Sequence, residues 1–184
     1  MDQPITSTRF GHAVLQAKSF VENEDFFLFA GDTIIISDER NQHLERLIAS
    51  FEISDADAAF LLLPVEDPKN YGIVFGAGCS QQDVVYVNKV IEKPSMTESN
   101  LAIMPIYVFK GSIFEYLKFL KPGKGNEIQL TDGIQMAISN GKTVVGTRIK
   151  DNELRLEIGN PETYFKAQYH SYNRGKKLYD DSQI

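Results

Sequence analysis

In the stretch FLFAGDTIII, residues 27–36, an almost unbroken apolar run is interrupted by Gly31 and then by one carboxylate, Asp32. A carboxylate at the end of an apolar strand has two physical uses. It accepts hydrogen bonds that cap the following turn, or it holds a hard cation such as Mg²⁺ whose shell phosphate oxygens complete. Gly31 beside it lets a ligand come close to the backbone. A second reactive pair, Glu92 and Lys93, stands in VIEKP, residues 90–94. A carboxylate accepts hydrogen bonds from hydroxyl groups, and an ammonium is a point charge suited to phosphate. Taken alone, the same pair before a proline reads rather as a solvated strand end. Asp132, acidic within an apparent helix, is open to a pocket role or to a structural hydrogen bond. With three histidines and one cysteine, a zinc centre or a Cys–His nucleophile pair has little support. Met96, Met104 and Met136 need no role beyond packing.

These residues need a scaffold. Apolar side chains at Val14, Leu15, Ala17 and Val21 predict a helix over 11–21, followed by a strand over 26–30. Leu44, Leu47, Ile48 and Phe51 predict a helix over 42–51, and DAAFLLLP a strand ended by Pro64. Two apolar runs separated by a helix predict a βαβ unit with parallel strands buried on both faces. YGIVFG and VVYVNKVIEKP read as a hairpin or meander, a β-rich insertion over 72–93 beside the main sheet. AIMPIYVF is a further strand in which Pro105 requires an edge, a bulge or an entry position. Helices follow over 112–120, capped by Ser112, and over 127–140, with the loop KPGKGN between them. A strand over 143–149 and a short one in NELRLEIG precede Asn160-Pro161-Glu162, a helix start leading toward Tyr172. The polar last dozen residues are expected to fray. The expectation is a single α/β domain over 1–184 with a mixed, mostly parallel, Rossmann-like sheet. In such sheets ligands gather at the carboxyl ends of strands, where Asp32 stands.

Composition narrows the classes. The chain has 184 residues, 42% hydrophobic and 24% charged, as a globular domain does. Its 19 basic and 25 acidic residues give a formal charge of -6, which argues against a nucleic-acid-binding face but leaves room for a small phosphate pocket. The single cysteine, Cys79, rules out an intrachain disulfide and fits a cytoplasmic location. No window of 18 apolar residues predicts a membrane span, and no basic start leads into an apolar signal core.

Seven segments occur in one order from Phe10 to Ala167: FGHAVLQAKSFV, FFLFAGDTII, YGIV, VIEKP, NLAIMPIYVF, NEIQLTDGI and LEIGNPETYFKA. Together they resemble the sugar-1-phosphate nucleotidyltransferases, most closely the UTP–glucose-1-phosphate uridylyltransferases. The resemblance implies that Asp32 binds the catalytic Mg²⁺ and that Gly72 approaches the sugar. It further implies that Glu92 accepts sugar hydroxyls and that Lys93 contacts the sugar phosphate. The second metal carboxylate of the family lies in an Asp-x-Gly sequence. Here Glu157-Ile158-Gly159 stands in its place, with the same ligand atoms on a stem one methylene longer. Gly11 and His12 fall in the segment that lies near the nucleotide in the family, where backbone N–H groups face phosphate or base. No catalytic proton transfer is required of His12, because a sugar phosphate is already an anionic nucleophile.

The family opens with a strand and a G-x-G-T-R loop that grips the triphosphate, and these 184 residues contain no counterpart. Gln3 stands one residue out of register with the glutamine that reads uracil. The implied reaction is UTP + glucose 1-phosphate → UDP-glucose + pyrophosphate, if the chain is complete or complemented. The competing expectation is a non-catalytic sugar-nucleotide-binding or regulatory subunit. Without the family's leading central strand, apolar surface and unpaired backbone are expected at a sheet edge. A homodimer across that edge, a separate N-terminal partner chain, or cover by residues 1–8 would satisfy it.

Overall fold

The computed structural model describes residues 10–77, 83–120 and 128–181. Six strands form the main sheet: β1 (Phe26–Phe29), β3 (Ala58–Pro64), β4 (Gly72–Ala77), β5 (Val84–Glu92), β6 (Leu101–Phe109) and β7 (Val144–Arg148). A separate two-stranded ribbon pairs β2 (Thr33–Ile36) with β8 (Leu154–Glu157). The helices are α1 (Phe10–Gln16), α2 (Lys18–Val21), α3 (Gln42–Ile53), α4 (Ile113–Leu117), α5 (Leu130–Ser139) and α6 (Pro161–Asp181).

The apolar runs become the two-sided core. In β3, Ala58, Phe60 and Leu62 face one hydrophobic cluster while Ala59 and Leu61 face the other. Such alternation follows from the two-residue period of a strand, and a run apolar at every position must be covered on both faces. The first cluster packs Val14 of α1, Ile113, Phe114 and Leu117 of α4, and Leu130, Ile134 and Ala137 of α5. The second packs Leu47 and Phe51 of α3, which recur at helical spacing. Asn160 caps α6 by accepting the Thr163 N–H at 3.0 Å on Oδ1, with Pro161 opening the helix.

The sheet departs from the mostly parallel, open Rossmann-like arrangement. The order is β1-β6-β3-β7-β5-β4, and β3–β7 is its one parallel pairing among the described residues. The pair Ile73↔Ala102 joins β4 to β6, so β6, β3, β7, β5 and β4 close on themselves. β1 and β3 do not pair with each other, because β6 lies between them and runs antiparallel to both. Continuous apolarity reports two-sided burial; it does not report the direction of the neighbouring strand. β1 is itself an edge strand, with Phe27 and Phe29 41% and 49% exposed.

Three local expectations also change. The helix over 11–21 divides into α1 and α2 at Ala17, and that over 112–120 contracts to Ile113–Leu117 without a hydrogen bond from the Ser112 side chain. Pro105 sits at a bulge, one of the positions expected for it: the β3–β6 register passes from Phe60↔Tyr107 to Leu61↔Met104. β2 is a strand the apolar run did not separate from β1. KPGKGN, the start of the 127–140 helix, Gln3, Cys79 and residues 1–8 lie outside the described residues, wholly or in part. Among the described residues no helix is long and apolar enough to cross a membrane.

Candidate active site

A cavity of about 620 Å³ opens where the ribbon meets the main sheet, and Asp32, Gly72, Glu92, Lys93 and Glu157 all line it. Asp32 enters from the turn that joins β1 to β2, and Glu157 from the last position of β8. The ribbon brings them together: Thr33 pairs with Glu157, and the Ile158 N–H donates to the Asp32 carbonyl at 2.8 Å.

Each carboxylate has one oxygen engaged. Asp32 Oδ1 accepts from Thr33 Oγ1 at 3.5 Å, and Glu157 Oε2 from Arg155 Nη2 at 3.3 Å. The other two oxygens converge beside Gly159. A Cβ added there would lie 3.5 Å from Asp32 Oδ2 and 3.7 Å from Glu157 Oε1. Two hard anionic oxygens close to the same position suit Mg²⁺, which takes one or two carboxylates and completes its shell with phosphate and water. Among the described residues no group of three or more His, Cys, Asp or Glu side chains is arranged to hold a metal by itself. The residues therefore fit a substrate-assisted cation and not an all-protein cage.

The other wall is built by β4, β5 and α5. Glu92 ends β5, opposite Gly72 at the start of β4. Thr131 Oγ1 donates to Glu92 Oε2 at 2.9 Å, and the Lys93 ammonium lies 3.6 Å from Glu92 Oε1. Lys93 has φ 43, the left-handed region, directly before Pro94. A lysine there is strained, and the residue before a proline favours extended backbone, so surrounding structure must hold it. One such hold is the Lys93 N–H donating to the Tyr71 carbonyl at 2.9 Å. Gly72 leaves no room for a side chain: a Cβ would stand 2.7 Å from Thr131 Cγ2. Tyr107 lines the cavity from β6, its hydroxyl pushed far above the usual phenol range by burial and by the Glu92 charge.

The lining residues not singled out from the sequence include Tyr71, Tyr107, Thr131 and Arg155. Arg155 reaches Glu157 and the Tyr71 hydroxyl, at 3.4 Å, and lies over the Tyr71 ring. Strand alternation was its available signal, since Arg155 and Glu157 share a face at a spacing of two. Gly11 and His12 are not among the lining residues, although their neighbours Phe10 and Ala13 are. Gly11 packs against the Ile128 carbonyl, which a Cβ would approach to 2.4 Å. His12 Nε2 lies 3.4 Å from Gln16 Nε2. Asp132 is exposed on α5 and outside the lining.

The chain resembles known proteins over most of its length. Residues 7–174 match the family model described as nucleotidyl transferase. A UTP–glucose-1-phosphate uridylyltransferase of Bacillus subtilis is 37% identical over 161 residues, 85% of this chain and 52% of that protein. One from Mycoplasma pneumoniae is 33% identical over 165 residues, 88% of this chain and 55% of that protein. A UDP-glucose pyrophosphorylase solved with UDP-glucose superposes with a TM-score of 0.81 at 28% identity, covering 90% of this chain and 62% of the other. The chain spans about half the length of the relatives it matches by sequence. Across that span, the chain belongs to the nucleotidyl transferase family.

Proposed function

We propose that this chain forms the sugar-phosphate and metal side of a uridylyltransferase site acting in UTP + glucose 1-phosphate → UDP-glucose + pyrophosphate. The observation that carries the reading is the meeting of Asp32, Glu157, Glu92 and Lys93 in one cavity. Glu92 accepts hydroxyl hydrogen bonds from the sugar, and the Gly72 backbone approaches the ring. Lys93 holds the sugar phosphate so that one of its oxygens attacks the α-phosphorus of UTP. The new phosphorus–oxygen bond forms as the bond to the bridging oxygen breaks, and pyrophosphate departs with that electron pair. Asp32 and Glu157 would hold Mg²⁺, which when bound neutralises charge on the phosphates. Arg155 orients Glu157 by occupying its Oε2.

A second reading, a non-catalytic sugar-nucleotide-binding or regulatory chain, is favoured by Glu157 in the Asp-x-Gly position and by its ion pair with Arg155. Calorimetry with UDP-glucose and Mg²⁺, run beside a pyrophosphate-release assay, separates the two. Turnover by the pure chain defeats the second reading; binding without turnover favours it; no binding overturns both. For partners, we propose a second copy of the chain across the β1 edge, in the cytoplasm.

A further inference from the structure

The two cavity carboxylates depend on a ribbon that is not part of the main sheet. A two-stranded ribbon is marginal by itself and needs something to pack or tie it. The far end of this one carries a knot of buried polar groups. The antiparallel register sets Thr33 against Glu157 at the cavity end and Ile36 against Leu154 at the other. The next residue along each strand, Ser37 and Glu153, is buried.

Ser37 Oγ donates to Glu153 Oε1 at 3.1 Å, tying the two strand ends together. Its single proton is then spent, so the 2.6 Å contact with His43 Nδ1 is a donation from the imidazole. Arg46 of α3 forks onto Glu153, with Nη1 to Oε1 at 2.8 Å and Nη2 to Oε2 at 2.7 Å. The Lys150 N–H adds a bond to Glu153 Oε2 at 2.9 Å. Arg174 of α6 donates to the Ser37 carbonyl and pairs with Asp38. The Glu153 side chain is 0% exposed. A buried pair of this kind contributes little net stability over an apolar pair but demands one geometry, because either charge left alone is costly.

We infer that Arg46, Glu153, Ser37 and His43 are positioning residues that set the separation of Asp32 and Glu157 through the ribbon. Four residue steps separate Glu153 from Glu157 and five separate Ser37 from Asp32, about 14 to 17 Å at roughly 3.4 Å per residue. Across that short lever, a rotation of the ribbon relative to α3 changes where Asp32 Oδ2 and Glu157 Oε1 point. The inference rests on the metal reading of the site for its functional half only.

The test uses the paired replacement Arg46→Met with Glu153→Met, which leaves no orphaned charge, and Ser37→Ala as a milder cut of the same knot. Ribbon order is read by amide exchange of residues 33–36 and 154–157, and carboxylate geometry by Mn²⁺ binding followed by electron paramagnetic resonance. The expected result is ribbon exchange at least tenfold faster, protection of the main sheet retained, and Mn²⁺ bound about tenfold more weakly. An unchanged ribbon in the variants overturns the inference. So does a loosened ribbon with wild-type Mn²⁺ affinity, which reduces the knot to a structural tie. Wild-type protein that binds no Mn²⁺ overturns the metal reading instead, and exchange alone then decides whether the knot orders the ribbon. If the paired variant fails to fold, Ser37→Ala decides by the same readouts.

Discussion

Asp32 Oδ2 and Glu157 Oε1 face the same point beside Gly159, 3.5 and 3.7 Å from where its Cβ would stand, although the two residues are 125 positions apart in the chain. A group placed at that position would touch both carboxylates. Gly159→Ala fills it with a methyl group at ordinary contact distance, so the fold should lose less than about 0.5 kcal/mol. Metal-dependent binding of UDP-glucose should nonetheless fall at least about tenfold. Asp32→Asn and Glu157→Gln should weaken it similarly. Calorimetry with and without Mg²⁺ checks all three; equal loss in both conditions refutes the metal reading.

Thr131 and Gly72 together fix Glu92. Thr131→Val keeps the shape but removes the donor 2.9 Å from Glu92 Oε2. A net hydrogen bond to a charged group is worth roughly 1.5–3 kcal/mol, so UDP-glucose should bind about tenfold or more weakly. Thr131→Ser should recover most of that. Gly72→Ala meets Thr131 Cγ2 at 2.7 Å and should be worse than Thr131→Val, since it also displaces the carboxylate. A titration series across these variants settles the order.

Acid should destabilise the protein in two windows. Burial holds the His43 imidazole below its ordinary value of 6.5, against the Glu153 charge, which raises it, and alongside Arg46, which lowers it. A histidine whose folded pKa is depressed costs stability as pH falls through its unfolded value, so this loss begins near 6.5. Burial pushes the Glu153 carboxyl up, but hydrogen bonds from Arg46, the Lys150 N–H and Ser37 overcome it and bring the pKa to about 2. Its stabilisation is present above 4.5 and is lost as pH falls toward about 2. The shift corresponds to something on the order of 3 kcal/mol. Urea titrations between pH 8 and pH 2 should show both phases. The paired Arg46→Met and Glu153→Met replacement should abolish the lower one.

The β1 edge should support self-association. Its rings of Phe27 and Phe29 stack 5.7 Å apart and are 41% and 49% exposed, and the sheet order leaves one side of β1 unpaired among the described residues. An open strand edge with an apolar face is a template for another strand. Light scattering should report a dimer, and Phe27→Lys with Phe29→Lys should shift it to monomer. A monomeric wild-type chain refutes the expectation.

Local chemistry was legible in the sequence wherever one segment is sufficient. Phe60, Leu61 and Leu62 announced a strand buried on both sides; Leu47 and Phe51 announced a helix face; Asn160-Pro161 announced a helix start. Asp32, Gly72, Glu92, Lys93 and Glu157 were named as candidates through the family resemblance of their motifs, with the residue types of Asp32, Glu92 and Lys93 suiting cation, hydroxyl and phosphate, and all five line the cavity. Strand direction was not legible, because an apolar run specifies burial and not its neighbour: β6 enters between β1 and β3 from some forty residues downstream of β3 and makes the sheet mostly antiparallel. The same limit hid the ribbon. β2 looked like the tail of β1 until β8 supplied its partner. Only that long-range pairing turns Asp32 and Glu157 into one site and leaves Arg46, Glu153, Ser37 and His43 joined behind it, since hydrogen bonds between distant strands are satisfied by geometry that no single segment contains.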